Sequence, residues 1–335
     1  MKVVVFGAGG IGSVHLANLA DDPRVSGLVV ADLDAERART VAAQIGAKAV
    51  DTSMALAEQP DAAVIAAPTP AHAQLLRACV DASTPTFCEK PLSGDLAGCV
   101  ELAQLVDDRD AVVQIGFQRR FDRAHAELRE LLRRRMLGTV QVIRIASHDH
   151  YALSDEYVAG SGGIYRDLLI HDFDALRWIT GLEVTTVYAT GAIRVLDYVG
   201  RYGDVDNCVL ALTLTDGTLV SVSAGRGNGR GEDVRLEVIG TEDCVAIGLS
   251  TRTPLRSLEP DFESFAETSY DDHVDRFRAA YRAELEHFIS LARGEVANVC
   301  SPRDTLGTMV VAEAATRSAN EGRPVALSPA DYELL

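Results

Sequence analysis

The stretch "KVVVFGAGGIGSVHLANLA", residues 2–20, decides the fold. A short apolar run, 2–6, meets Gly7, Gly9 and Gly12 in G-x-G-x-x-G spacing, and apolar residues then recur at helical spacing over 11–20. In a strand–turn–helix, the first glycine permits the tight turn. The second lets the backbone approach a pyrophosphate, and the third lets helix and strand pack closely. The helix N-terminus turns N–H donors and positive potential toward phosphate. A purely structural turn is the alternative. Asp32 argues against it, because it ends the next apolar run at the distance this motif expects.

Outward from that turn, apolar runs at 27–32, 61–67, 86–88 and 111–116 alternate with helical patterns at 34–45, 71–82 and 96–106. Continuous apolar strands alternating with helices predict a parallel sheet covered on both faces. The pattern changes after Phe117. An Arg-rich amphipathic helix (122–135) precedes a strand (139–147), a helix near 163–180 and a strand-like run (184–195). Two hairpins follow, 208–225 about Asp216-Gly217 and 234–248, then long helices near 273–292 and 303–320. The expected fold class is α/β: an N-terminal Rossmann domain, 1–118, and a C-terminal α+β domain, 119–335, with a large, mainly antiparallel open sheet. The second domain is expected to bind substrate and mediate oligomerisation, with the last helix able to pack back on the Rossmann domain. Leu210, Leu212 and Leu214 alternate with Val209, Ala211 and Thr213, so one sheet face can pack on helices and the other can self-associate.

The chain has 335 residues and a formal net charge of −17, which argues against nucleic acid and anionic membranes as partners. No apolar run is long enough to span a membrane, and the glycine-broken N-terminus does not read as a secretion signal, which points to the cytoplasm. The six cysteines form no C-x-x-C pair and read as reduced thiols. Lysine occurs only at Lys2, Lys48 and Lys90 among 32 cations. Lys90 follows a strand of the parallel sheet, where ligands of such sheets bind. Asp32 can accept from a ribose 2′-hydroxyl and repel a 2′-phosphate, favouring NAD over NADP; Arg37 and Arg39 leave NADP open.

"GGIYRDLLIHDFDALRW", 162–178, reads as a core helix that nevertheless carries acids and a histidine. On an unbroken helix Asp167, His171 and Asp174 share an arc of roughly 60°, while Asp172 projects elsewhere. Asp167 and His171 are i,i+4 neighbours. They are either an internally satisfied pair or a proton-transfer group whose carboxylate orients the ring. His148 and His150 could suggest a metal, but no third ligand is placeable, and none is expected.

Together with the glycine turn, "AAPTPAH" (66–72), "CEKP" (88–91) and the G-G-x3-D-x3-H-D run (162–172) resemble the glucose–fructose oxidoreductase/inositol dehydrogenase (Gfo/Idh/MocA) family over nearly the whole chain. "GFQRRFD" (116–122), "HDFDALRW" (171–178) and "FRAAYRAELEHF" (277–288) resemble its inositol dehydrogenase branch. The resemblance implies homodimers or homotetramers and NAD(P)-dependent interconversion of a secondary alcohol and a ketone on a sugar or cyclitol. It puts the catalytic lysine of the family's E-K-P motif at Lys90, and the aspartate and histidine of its D-x3-H motif at Asp167 and His171. Cofactor contacts fall on Gly7, Gly9, Gly10, Ile11, Gly12, Asp32, Ala67, Pro68, Thr69, His72, Glu89, Lys90 and Gln118. Substrate contacts fall on Lys90, Gln118, Arg119, Asp149, Asp167, His171 and Asp174, with Tyr281 either a contact or a packing residue.

The expected mechanism has His171 as general base on the substrate hydroxyl, Asp167 orienting it, and Lys90 stabilising the developing alkoxide. The loop "SHDHYALSDEY", 147–157, departs from the Arg-Asp-Pro-Pro-like run of the inositol branch. Asp149, Asp155 and Glu156, with Asp172 and Asp174, could form an acidic pocket for an amino sugar or aminocyclitol; a neutral polyol is the preferred reading. A non-catalytic NAD sensor on the same fold is the alternative from another class, disfavoured by the retained Lys90, Asp167 and His171.

Overall fold

The computed structural model describes residues 1–151, 153–260 and 268–333. It divides into two compact units: Met1–Phe121 with Ala279–Leu306, and Asp122–Arg278 with the segment from Gly307.

In the first unit, β1 (Lys2–Phe6), β2 (Gly27–Ala31), β3 (Lys48–Val50), β4 (Ala62–Ile65), β5 (Thr86–Glu89) and β6 (Val113–Gly116) form a parallel sheet in the order β3-β2-β1-β4-β5-β6. That is the doubly wound order of a dinucleotide-binding sheet, whose ligands lie beyond the carboxyl ends of the strands. The crossovers carry α1 (Gly10–Ala20), α2 (Ala35–Ile45), α3 (His72–Asp81) and α4 (Leu96–Asp108). Asp34 caps α2, its Oδ1 accepting the N–H groups of Glu36 and Arg37; Asp95 caps α4 through the Gly98 N–H. The three-residue β3 was not expected, being too short to show a period.

The second unit contains α5 (Arg123–Arg133), β7 (Val140–Asp149), α6 (Asp155–Ser161), α7 (Ile164–Asp167), α8 (Ile170–Thr180), β8 (Val184–Ala192), β9 (Asn207–Leu214), β10 (Leu219–Arg226), β11 (Asp233–Gly240) and β12 (Cys244–Ile247). Beyond these run α9 (His273–Ala292), α10 (Pro302–Glu321), β13 (Val325–Ala326) and α11 (Pro329–Glu333). The seven-stranded sheet has the order β12-β11-β7-β10-β9-β8-β13 and is antiparallel except for the β7–β10 pair. The expected Asp216-Gly217 hairpin joins β9 to β10, with Gly217 at φ 90°. Leu210, Leu212 and Leu214 are buried, whereas Val209 is 56% and Leu219 55% exposed on the other face.

Two boundaries differ from expectation. Gln118–Phe121 is a tight turn continuing from β6, so Arg119 belongs to the first unit rather than the second. Residues 279–306 also belong there, and with them Tyr281. The reason is apolar: Leu285, Phe288 and Ile289 sit in one core with Val5, Leu16, Val64 and Phe87. The ring centroids of Phe87 and Phe288 lie 5.8 Å apart, and each such buried side chain contributes about 1.5–3 kcal/mol.

The helix expected over 163–180 is broken between α7 and α8. The Leu169 N–H reaches back five residues to the Ile164 carbonyl, and the Asp172 N–H only three, to Leu169. A wide turn followed by a tight one interrupts the regular helical spacing from which a common arc of Asp167, His171 and Asp174 was expected. Among the described residues, no helix is long and apolar enough to cross a membrane.

Candidate active site

The nucleotide-binding turn lies between β1 and α1. A Cβ on Gly12 would stand 2.1 Å from the Gly7 carbonyl oxygen, and one on Gly7, which has φ 98°, 2.5 Å from that of Ala66. These two glycines are required by packing. Gly9 and Gly10 differ: a Cβ on either would meet nothing within 4 Å. Their backbone faces open space, and no side chain caps the α1 N-terminus that starts there. An open helix N-terminus behind a bare backbone is a fit for a pyrophosphate.

Asp32, just beyond β2, points back into this turn. Its Oδ2 accepts the Ala8 N–H at 2.7 Å, and Arg37 grips both carboxylate oxygens at 3.0 and 2.6 Å. Burial would raise its pKa, but the Arg37 guanidinium and the N–H groups of Ala8 and Asp34 hold it below the usual carboxylate value. This carboxylate therefore comes with a cation of its own.

The second element named in the sequence reading is the run 66–72. Pro68 is exposed, and Ala67 and Thr69 are half-buried. His72 is almost wholly buried, with Nε2 2.8 Å from the Ala67 carbonyl oxygen and Nδ1 2.9 Å from that of Pro91. Burial lowers its pKa, and a neutral imidazole has one N–H, so it donates to one of the two. His72 thus links the 67–69 turn to the E-K-P turn from beneath.

Glu89 ends β5, and Lys90 follows it, half-buried, with a cis peptide to Pro91. Glu89 Oε1 lies 2.6 Å from His15 Nε2, and Oε2 accepts the Lys90 N–H at 3.1 Å. Gln118 is buried and donates from Nε2 to the Tyr281 hydroxyl at 3.0 Å; Arg119 is also buried. Nothing in the sequence marked His15, since a histidine on a core helix is usually structural.

In the second unit, Asp167 ends α7 and His171 lies in the first turn of α8, half-buried. Asp167 Oδ1 accepts from the Tyr157 hydroxyl at 2.9 Å, and Oδ2 from Arg226 Nη2 at 3.1 Å. Arg226 is fully buried, and its Nη1 stands 3.7 Å from Asp204 Oδ2. Asp204 Oδ1 in turn accepts the Ile164 N–H at 2.9 Å, so one arginine braces both ends of α7. Burial around the hydroxyl, and then the Asp167 carboxylate, push the Tyr157 phenol well above its usual pKa, which keeps it a donor. Sequence reading missed Arg226 and Tyr157. The one available signal was a cation ending the otherwise uncharged strand "LVSVSAGR".

Three of the remaining acids have side-chain partners. Asp172 is fully buried and accepts from Ser147 Oγ at 2.8 Å; Asp174, also fully buried, accepts from Thr308 Oγ1 at 3.3 Å. Asp174, expected as a substrate contact, is thus an interior acid. Asp155 pairs with Arg201 at 3.3 Å. Asp149 is half-buried at the end of β7. His148 meets Ser223 Oγ and His150 the Asp271 carbonyl, each at 3.0 Å.

Known proteins are similar to this chain in sequence and fold. Residues 1–117 match the family described as an oxidoreductase family with an NAD-binding Rossmann fold, and residues 129–327 match its C-terminal alpha/beta domain. A myo-inositol dehydrogenase of Streptomyces leeuwenhoekii is 36% identical over 97% of this chain and 100% of its own. A scyllo-inositol 2-dehydrogenase (NAD(+)) of Bacillus subtilis is 31% identical over 98% of this chain and 96% of its own. The crystal structure of a myo-inositol dehydrogenase from Corynebacterium glutamicum superposes with a TM-score of 0.88 at 31% identity, covering 98% of this chain and 99% of that one. With both domains matched in order, the chain belongs to this NAD-binding oxidoreductase family, the one that the glycine turn and the E-K-P motif pointed to.

Proposed function

We infer that the protein is an NAD-dependent dehydrogenase that interconverts a secondary alcohol and a ketone on a cyclitol of the inositol type. One observation carries the reading. A chain similar over 97% of its length to a myo-inositol dehydrogenase keeps both the sterically required glycine turn and a lysine directly after β5.

NAD, when bound, supplies the hydride acceptor. The chain's own residues move the proton. His171 takes the hydroxyl proton from the substrate, and returns it in the reverse direction. The charge of Asp167, held by Arg226 and Tyr157, favours the imidazolium that forms one turn further on. Lys90 donates to the reacting oxygen and stabilises negative charge as it develops there. Glu89 and His72 hold the turn on which Lys90 sits.

A neutral polyol fits better than a cationic substrate. Of the acids that suggested an amino sugar, Asp172 and Asp174 are spent on interior hydroxyls and Asp155 on Arg201. Self-association through the outer face of the seven-stranded sheet, as a homodimer or homotetramer, completes the reading; Tyr188, Val209 and Leu219 are its exposed apolar residues.

The test is NADH absorbance with inositol isomers, hexoses and aminocyclitols, each with NAD and NADP. Turnover of at least one inositol with NAD is expected. Turnover confined to amino-substituted substrates would overturn the substrate assignment.

A further inference from the structure

The first unit buries an acid that the reaction above does not use. Glu284 of α9 is 0% exposed, and neither carboxyl oxygen has a hydrogen-bond partner among the described residues. It faces His15 of α1 and Glu89 of β5, with one nitrogen or oxygen of each residue within 4.8 Å of the others. All three side chains are buried. Tyr281, one turn earlier on α9, and Phe87 of β5 close the cluster edge-on against the His15 ring, at 6.2 and 5.2 Å. From β6 comes uncharged Gln114, whose Nε2 donates to the Glu284 backbone carbonyl. The charged or titratable groups around Glu284 are therefore His15, Glu89 with the adjoining Lys90, Tyr281 and, one turn further along α9, His287, whose Nδ1 lies 2.8 Å from Gln114 Oε1.

Such a cluster could hold a metal ion or a proton, and the geometry favours the proton. Ligand atoms sit about 2.0–2.2 Å from a zinc-sized ion, so two of them on one tetrahedral ion lie on the order of 3.3 Å apart. His15 Nε2 and Glu89 Oε1 are 2.6 Å apart, already joined by a hydrogen bond. Two carboxyl groups in one dry cluster cannot both carry charge cheaply. Glu89 is hydrogen-bonded to His15 and accepts the Lys90 N–H; Glu284 has no such partner among the described residues.

We propose that Glu284 is a positioning residue that acts as a neutral acid, leaving a single carboxylate in the cluster so that Glu89 stays joined to His15 and to the turn that presents Lys90. Burial, and then the Glu89 carboxylate, hold its pKa well above the usual carboxyl value. Loss of the proton at high pH sets a second charge against Glu89, loosens that turn and lowers turnover. The functional consequence rests on the role given to Lys90; the protonation state does not.

The experiment uses the full-length protein in two arms. Infrared difference spectra of wild type against E284Q at neutral pH are expected to show the carbonyl stretch of a protonated carboxylic acid, bleached only as the pH is raised. A carboxylate signal in its place would overturn the proposal, with or without turnover, so failure of the dehydrogenase reading stays distinguishable. If E284Q does not fold, the wild-type titration alone decides. In the second arm, kcat with an inositol and NAD is followed to alkaline pH. Wild type is expected to fall about tenfold per pH unit above the Glu284 pKa, with this limb absent in E284Q and kept, though displaced, in E284D. Superimposable wild-type and E284Q profiles would overturn the positioning role. Stoichiometric metal in the purified protein, lost in E284Q, would overturn the proton assignment.

Discussion

Asp32 is held by the same arginine that could replace it. Its side chain is 5% exposed, and the guanidinium of Arg37 closes over it, 46% exposed. While Asp32 is present the site repels a 2′-phosphate. Asp32→Ala would release Arg37 to bind one, so the kcat/KM preference for NAD over NADP is expected to fall by about 10- to 100-fold, the loss of one charged hydrogen bond. Steady-state kinetics with both cofactors measure it, and an unchanged ratio would show that Asp32 does not face the ribose. Glu284 gives a stability test of opposite sign to an ordinary carboxylate. Its folded pKa is raised, so its contribution is fully present below the unfolded value near 4.5 and is lost as pH rises toward the folded value. Wild-type Tm should therefore drop relative to E284Q between acid and alkaline pH, and a constant difference would contradict a buried neutral acid. At this scale the sequence singled out Asp32, Lys90 and His171 as candidates, because motif spacing and lysine scarcity mark them locally. It could not show Glu284, whose character comes from neighbours almost 200 and 270 positions away.

Two elements carry the residues of the proposed chemistry, and they were unequally legible. The β1–α1 turn could be read from the chain alone, since its glycines answer to local sterics. Within it the structure separates packing from binding. Gly12→Ala drives a Cβ into the Gly7 carbonyl and is expected to lower stability by about 1–3 kcal/mol. Gly9→Ala meets no protein atom, so it should keep the wild-type Tm while weakening NAD binding. Thermal melts and NAD titration of both variants check the separation; equal loss of Tm would refute it. The α7–α8 break was illegible, because Leu168, Leu169 and Ile170 continue an apolar pattern through it. What sets the break is tertiary: Arg226 clamps Asp167 and Asp204 around four residues of helix. Arg226→Met strips the cation from two buried acids and is expected to cost about 3–5 kcal/mol, read by urea unfolding.

For the whole molecule, the alternation of strand and helix predicted the parallel sheet, and the two hairpins predicted the mainly antiparallel one. Residues 279–306 pack with the first unit although the C-terminal domain was expected to hold them, because an amphipathic helix shows which face is apolar and not which core receives it. The outer face of the seven-stranded sheet leaves Tyr188, Val209 and Leu219 exposed on neighbouring strands. The double variant V209E/L219E is expected to reduce the mass measured by light scattering to that of one chain, with Tm otherwise preserved; an unchanged oligomer would place the interface elsewhere.

The central claim is that this chain oxidises an inositol with NAD, using Lys90 and His171. Its most direct test is the rate of NADH formation from myo- and scyllo-inositol by wild type, Lys90→Ala and His171→Ala, with NAD affinity measured in parallel. Wild type should form NADH with at least one isomer, and both variants should bind NAD yet lose at least about 100-fold in kcat. Undiminished turnover in either variant, or wild-type NAD binding with no NADH from either inositol, would contradict it.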